Sequence, residues 1–228
     1  SVSEKRIKFD IEKLVGFGTR NTFSDTLSST RGIGAARRWI KKEFETISSN
    51  CNNCLEVFYQ KDLVLKEGNN RVPHDAWVVN VVAIQKGTKY PNRFIIMSGD
   101  IDSRASDTMD FTTDAPGAND NASGMAGTLE AARVLSNYKF ESSIVYVGLS
   151  GEEQGLFGGS GLAKYAKENN YKYCWLTYNY HNKYIYDTAK RANAGIGRTI
   201  PDIYKQAKYY EETLLVQNTQ QYVIEIKV

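Results

Sequence analysis

The chain has 228 residues, of which 41% are hydrophobic and 24% charged, and its formal net charge is +3. This length is enough for one α/β domain with a sizeable core, and we treat residues 1–228 as a single domain. No apolar run approaches the roughly 20 residues of a membrane span. Lys and Arg are not concentrated beyond short pairs on one helix, so we expect no nucleic-acid partner.

Apolar residues recur at helical spacing in two N-terminal segments, which predicts amphipathic helices over residues 4–15 and about 33–47. The rest of the chain alternates between apolar strand patterns and helical ones. In chain order we predict strands at 55–60, 77–87 and 93–97, a loop at 115–124 leading into a helix, a strand at 143–149, a loop over the following "GEEQGLFGG", a helix at about 160–168 and a strand at 173–178.

Strands that alternate with helices predict an α/β fold of three layers: a mainly parallel, mixed sheet with helices on both faces. In such sheets ligands bind beyond the carboxyl ends of the strands. Asp100, the Asp120 loop and the Glu152–Glu153 pair all follow apolar strands or lie in loops beyond them. We therefore expect these carboxylates to converge on one rim of the sheet.

Two of the three cysteines, Cys51 and Cys54, form a "CNNC" motif. A zinc site needs four ligands, and one such pair does not supply them. Two alternatives remain, a local disulfide that clips a loop or a pair of free thiols. A disulfide would favour an oxidising compartment, and thus a secreted or periplasmic protein, although no signal peptide is recognisable in this chain.

The "GEE" stretch at 151–153 suits metal-assisted hydrolysis, because one carboxylate can ligate a metal while its neighbour takes a proton from a bound water. Asp120 lies in a Gly-rich loop, and its two oxygens could bridge two metal ions. The alternatives are ordinary ones. The glutamates could be exposed loop residues, and Asp120 could form an Asx turn or a helix cap.

Three motifs in order carry a specific resemblance: "SGDIDS" (98–103), "APGANDNASGMAGTLEAARVLS" (115–136) and "SIVYVGLSGEEQGLFGG" (143–159). Together they resemble the zinc-dependent aminopeptidases of metallopeptidase family 28, the bacterial leucyl aminopeptidase type. The segment 18–40 also resembles the N-terminal region of a bacterial branch of that family. The resemblance covers roughly residues 14–178 and implies the zinc-exopeptidase fold; residues 179–228 diverge.

The resemblance implies a pair of zinc ions that acts on a peptide or aminoacyl substrate. It places Asp120 as the bridging ligand, Glu153 as a ligand of the second ion and Glu152 as the general base. Asp100 stands where the family has a histidine ligand of the first ion. Asp102 stands where the family has the acid that orients this histidine.

The sequence also departs from the family pattern. Asn179 falls where an aspartate ligand is expected, and His181, two residues on, is a possible substitute. The family's last histidine ligand has no counterpart. Asp100 is the mildest change, because carboxylate also binds zinc, but it lies near Asp102, and without metal two such carboxylates should share a proton. His74 is interpreted as an ordinary turn histidine.

The sequence thus supports two main hypotheses. The first is a metallo-exopeptidase that removes N-terminal residues with zinc, one or two ions, as cofactor. The second is a truncated or degenerate relative with an impaired metal site and little or no peptidase activity. A third, weaker alternative is a carboxylate-rich metal-binding module, for instance for calcium.

Overall fold

The structure is a computed structural model that describes residues 1–169 and 171–174. None of the helices in these residues is long and apolar enough to cross a bilayer. The elements in chain order are α1 (Glu4–Val15), α2 (Gly32–Asn50), β1 (Leu55–Val64), β2 (Ala76–Gln85), β3 (Tyr90–Asp100), a π-helical turn (Ala118–Ala122), α3 (Ser123–Leu135), β4 (Ser142–Leu149), α4 (Glu152–Gly155), α5 (Phe157–Glu168) and β5 (Lys172–Cys174).

The described strands form one mixed sheet in the order β1-β2-β4-β3-β5. β1 and β2 pair antiparallel, as do β2 and β4, whereas β3 runs parallel to both β4 and β5. The parallel pair β3–β4 is joined through the crossover helix α3, as parallel strands require. The mixed sheet is confirmed, and its parallel half is the half that carries the acidic residues.

Helices cover both faces of the sheet, which confirms the three-layer prediction. On one face α1, α2 and α3 pack over alternate strand residues such as Val81 and Tyr146. On the other face Leu162 of α5 packs with Val82 and Val145, which are the neighbours of those residues in the strands. Successive side chains of a strand point to opposite faces, so both strands are buried on both sides.

The predicted loop over "GEEQGLFGG" is wrong, because this segment forms α4 and the first turn of α5. The two helices are separated at Leu156, whose backbone is left-handed with φ 58°. The residues that begin α4 are capped by Asp102, which lies about fifty positions earlier in the chain. A cap supplied by a distant segment leaves no local signal in the sequence.

Of the strand predicted over 173–178, the structure describes only the beginning, as β5 (Lys172–Cys174). Asn179 and His181 therefore lie outside the described residues, and the assignment of 179–228 to the same domain stays a prediction. Cys51 and Cys54 form a disulfide directly after α2. Of the two alternatives for the "CNNC" motif, the structure has the bonded one.

A buried arginine holds together the segments around the acidic residues. The guanidinium of Arg20, which is fully buried, donates to four backbone carbonyl oxygens. These belong to Ile101 (2.8 Å), Leu14 (3.0 Å), Pro116 (2.6 Å) and Gly117 (2.9 Å). Burial lowers the pKa of Arg20 to about 10, while the negative charges of Asp102 and Asp120 raise it, so the side chain is cationic at neutral pH.

We expect Arg20→Met to lower the free energy of unfolding by about 3 kcal/mol or more, because four carbonyl oxygens lose the charged donor of a fully buried side chain. Urea denaturation followed by circular dichroism measures this difference. The matched control is Lys8→Met, since Lys8 is exposed and, in the part of the chain that the structure describes, pairs with Glu12 on α1; its effect should stay within about 0.5 kcal/mol. Equal midpoints for the two variants would contradict the role given to Arg20.

Candidate functional site

The acidic residues meet because two parallel strands end at the same rim. Asp100 is the last residue of β3 and lies in register with Leu149, the last residue of β4. Glu152 and Glu153 follow three and four residues later, at the start of α4. The spacing between Asp100 and the loop before α3 is fixed by a close contact between the main chains of β3 and α3. A Cβ at Gly99 would lie 2.5 Å from backbone atoms of Gly124 and Met125, the beginning of α3.

Asp102 holds the two glutamates through their backbone. Its side chain is almost fully buried, with 1% exposed. Oδ1 accepts the N–H of Glu152 at 3.4 Å, and Oδ2 accepts the N–H of Glu153 at 3.2 Å. These bonds fix the position of α4 against the segment that follows β3. The role implied by the resemblance, orientation of a ligand at position 100, stays a prediction.

The carboxyl group of Asp100 is largely buried beside other carboxylates. Asn121 donates from Nδ2 to its Oδ2 at 3.4 Å. Burial is the main cause that raises its pKa to about 8. Four nearby negative charges raise it further, those of Asp102, Glu152, Asp120 and Glu153. All four carboxylates are therefore close enough to Asp100 for their charges to act on it.

Burial also raises the pKa of Asp102 to about 7, although the N–H groups of Glu153 and Glu152 lower it. Asp100 and Asp102 are thus both shifted toward their protonated forms. This is the direction expected for neighbouring carboxyl groups that cannot both ionise without a cation.

Glu153 is already paired with a cation of the protein. Its Oε2 lies 2.6 Å from Nε of Arg104, and the carboxylate is 16% exposed. Arg71 donates to the backbone carbonyl of the same residue at 3.1 Å. Arg104 follows the "SGDIDS" motif directly, but sequence reasoning missed it. An ion pair between two distant segments leaves no periodic pattern in the sequence. The position of Arg104 next to the motif was the one signal available.

Asp120 lies in the π-helical turn before α3, with non-helical φ −113° and ψ 98°. The peptide bond between Asp120 and Asn121 is cis. Asn121 is 2% exposed, and its Oδ1 has no hydrogen-bond donor in the described part of the chain. The predicted loop at 115–124 is thus an irregular turn at residues 118–122, and it brings Asp120 into the field of Asp100 and Arg20.

The negative charge of the cluster fits a cation, and its oxygen donors are of a kind that metals bind. However, no group of three or more His, Cys, Asp or Glu side chains among the described residues is arranged to hold a metal ion. The described carboxylates therefore do not complete a two-zinc centre by themselves. The predicted ligands Asn179 and His181 are not part of the described residues.

His74 is not among the groups that act on Asp100. Its ring makes edge contacts with Phe23 at 5.6 Å and with Phe111 at 5.4 Å between centroids. Among the residues that sequence reasoning missed is Thr22, whose Oγ1 accepts the N–H of Gly151 at 2.8 Å. This bond holds the corner between β4 and α4, which carries Glu152.

The sequence profile of Peptidase family M28 matches residues 80–210, more than half of the chain. The chain belongs to peptidase family M28. This range contains every acidic residue of the rim, from Asp100 to Glu153. The family expectation drawn from the three sequence motifs is thereby confirmed.

Similar curated proteins come from fungi and are named probable zinc metalloproteases. One from Leptosphaeria maculans is 42% identical over 169 residues, which are 74% of this chain and 39% of the relative. One from Pyrenophora teres f. teres is also 42% identical over 169 residues, 74% of this chain and 35% of the relative. The chain thus spans less than two fifths of the length of these relatives.

Solved structures with the same fold include the LapA aminopeptidase of Legionella pneumophila, with TM-score 0.59, 18% identity, and coverage of 77% of this chain and 41% of that one. The glutaminyl cyclase of Fimbriiglobus ruber has TM-score 0.60, 19% identity, and coverage of 78% of this chain and 61% of that one. At these identities the likeness shows the fold alone, and it confirms the zinc-exopeptidase fold class.

We expect the metal-free protein to lose stability as the pH rises, because the unfolded Asp100 ionises near pH 3.8 and the folded one near pH 8. Between these pH values the folded state binds more protons than the unfolded state. The stability that the proton on Asp100 contributes is therefore full below about pH 4 and is lost toward pH 8. Asp100→Asn has no proton to lose. In EDTA, its melting temperature relative to wild type should rise by a few degrees from pH 4.5 to 8.5.

The control for this measurement is Glu67→Gln, which removes an exposed carboxylate outside the cluster. Its melting temperature should follow that of wild type across the same range. If the Asp100→Asn curve also ran parallel to wild type, the titration assigned to Asp100 would be wrong.

Proposed function

We propose that the protein is a metal-dependent exopeptidase of the aminopeptidase type, which hydrolyses N-terminal peptide bonds by attack of a water molecule on the scissile carbonyl. One observation carries the proposal: at the carboxyl rim of the sheet, in a member of peptidase family M28, Asp100 lies close enough to Asp120, Glu152 and Glu153 to be affected by their charges. The names of the fungal relatives and the LapA aminopeptidase support it.

In this proposal Glu152 is the general base. Its position is suitable because its backbone N–H is held by Asp102 and the preceding Gly151 is held by Thr22. The side chain can then exchange a proton with a water at the rim without a change in the position of α4. Asp120, Glu153 and Asp100 provide negative charge for zinc, which when bound would supply a Lewis acid for the water and the carbonyl.

A second candidate is a degenerate relative that retains the fold but turns over little or no peptide. Two observations favour it, namely the aspartate at position 100 and the ion pair between Glu153 and Arg104. The third alternative is a module that binds calcium through its carboxylates. Elemental analysis of the purified protein separates the three: two equivalents of zinc favour the enzyme, none or one favours the degenerate relative, and calcium alone favours the module.

We expect Glu152→Gln to lower the rate of hydrolysis of an aminoacyl p-nitroanilide by about 10²–10⁴-fold, because general-base catalysis contributes a factor of this size. Zinc content should stay unchanged, since Glu152 is not assigned as a ligand. The control is Glu168→Gln, which changes an exposed residue at the end of α5. An unchanged rate in the Glu152 variant, with an active wild type, would disprove the assigned role.

We expect Asp100→His to raise the affinity for zinc, because it restores a neutral nitrogen ligand beside the acceptor Asp102 and removes one negative charge from the cluster. The increase should be on the order of 10–100-fold, the range found for partners that orient a metal ligand. Zinc titration by calorimetry of wild type, Asp100→His and Asp100→Asn measures it. Equal affinities for wild type and the histidine variant would mean that position 100 is not at a metal site.

The proposed location of the protein rests on the Cys51–Cys54 disulfide. We propose an oxidising compartment, secreted or periplasmic, because the Cys51–Cys54 disulfide would be reduced in a cytosol of ordinary redox poise. Titration of free thiols in the denatured, unreduced protein tests the bond. Three reactive thiols would contradict the proposed location.

A further inference from the structure

A concave site lies beside the start of α2, and we call it the α2 cleft. It has a volume of about 940 Å³ and contains none of the residues of the acidic cluster. Its floor is formed by Tyr59 and Lys61 of β1 and by Trp77 and Val79 of β2, which face the same side of the sheet. One wall is the start of α2, and the other is formed by loop residues that include Phe23, His74 and Phe111.

The start of α2 brings a buried charge to this cleft. Arg37 is 6% exposed and lines the cleft. Its Nε donates to the carbonyl of Ile33 at 3.3 Å, so the side chain is folded back toward the beginning of the helix. No carboxylate within residues 1–169 or 171–174 forms an ion pair with Arg37. A buried arginine without an anionic partner is unusual, because burying a charge is costly unless it is paired.

The other two arginines of the cleft are fully engaged elsewhere. Arg31 pairs with Asp114 at 2.6 Å and donates to the carbonyl of Thr112. Arg38 donates to backbone carbonyls of the loop that forms the rim, those of Thr26, Leu27 and Ser28. These bonds shape the rim of the cleft, so Arg37 is the buried cation of the cleft that is available to a ligand.

The acidic groups of the cleft are also engaged. Asp25 accepts the N–H groups of Leu27 and Ser28, and Asp75 accepts the N–H of Lys66 at 2.7 Å. The N–H groups at the start of α2 are occupied as well; that of Ile33 donates to Ser24 Oγ at 2.9 Å. An incoming anion would therefore meet side chains rather than the helix terminus.

Two further groups beside Arg37 can donate hydrogen bonds. Tyr59 is half-buried, and burial raises its pKa, so its hydroxyl keeps its proton at neutral pH. Lys61 is exposed and has no ion-pair partner in the described part of the chain. Burial lowers the pKa of Arg37 only to about 10, so it is cationic at neutral pH. Trp77, which is 57% exposed, adds an uncovered aromatic surface.

We propose that the α2 cleft binds an organic oxyanion, a carboxylate or phosphate attached to an apolar or aromatic body, with Arg37 as the main charge contact. The guanidinium binds the two oxygens in a forked geometry, Tyr59 and Lys61 donate to the same group, and the body packs on Trp77. The volume of the cleft is in the range of small-molecule sites. This inference does not rest on the proposed peptidase function.

The test is calorimetric titration of the full chain in EDTA with three probes of similar shape: phenyl phosphate, phenylacetate and the neutral phenylacetamide. We expect at least one anion to bind, and phenylacetamide to bind at least tenfold more weakly. A preference for phenyl phosphate identifies a phosphorylated ligand, and a preference for phenylacetate identifies an organic acid or peptide carboxylate. Binding should weaken with added salt.

Variants assign the binding to the α2 cleft. Arg37→Met should lower the anion affinity roughly 10- to 100-fold, as expected for loss of a charged hydrogen bond, and Lys61→Met should lower it several-fold. Lys42→Met, an exposed residue of the same helix, is the matched control and should bind as wild type. Because Lys61 is exposed, its variant keeps the test valid if Arg37→Met does not fold.

Three results would overturn the inference. The first is that wild type binds both anions with Kd values above about 10 mM, because such binding is too weak for a specific site. The second is that folded Arg37→Met, or Lys61→Met in its place, binds the anions as tightly as Lys42→Met. Equal binding of phenylacetamide would likewise show that charge plays no part.

Discussion

The buried guanidinium of Arg20 is the interaction on which the arrangement of the rim depends. It joins the end of α1, the segment after β3 and the loop before α3 through four backbone carbonyls. These three segments share no regular hydrogen-bonding pattern in the described residues, and the multivalent guanidinium links all three of them. Its charge also offsets the negative charges of Asp102 and Asp120, which the same segments carry.

Several carboxylates lie close together at the rim, and the structure contains groups that reduce the repulsion between them. Arg104 neutralises Glu153, two backbone N–H groups stabilise Asp102, and the pKa of Asp100 rises to about 8. Each compensation is local and leaves the others in place. A cation at the rim would therefore compete with the Arg104 ion pair and with the protons on Asp100 and Asp102, which makes affinity for metal dependent on pH.

Much of the fold could be predicted from the sequence because apolar periodicity reports burial directly. α1 was predicted with its observed bounds, and the convergence of Asp100 with Glu152 followed from the rule that parallel strands end at one rim. Interactions between distant segments could not be predicted in this way. The capping of α4 by Asp102 and the Arg104–Glu153 pair both join residues far apart in the chain. No local pattern encodes them.

The fold also does not decide the reaction, since aminopeptidases and glutaminyl cyclases share it. The close contact at Gly99 shows how one scaffold can serve more than one chemistry. The main chain of β3 touches the main chain of α3 at Gly124 and Met125, immediately beside position 100. The geometry of the rim is thus set by backbone that no substitution at position 100 alters. A different side chain at position 100 would therefore change the charge of the rim while leaving this backbone contact in place.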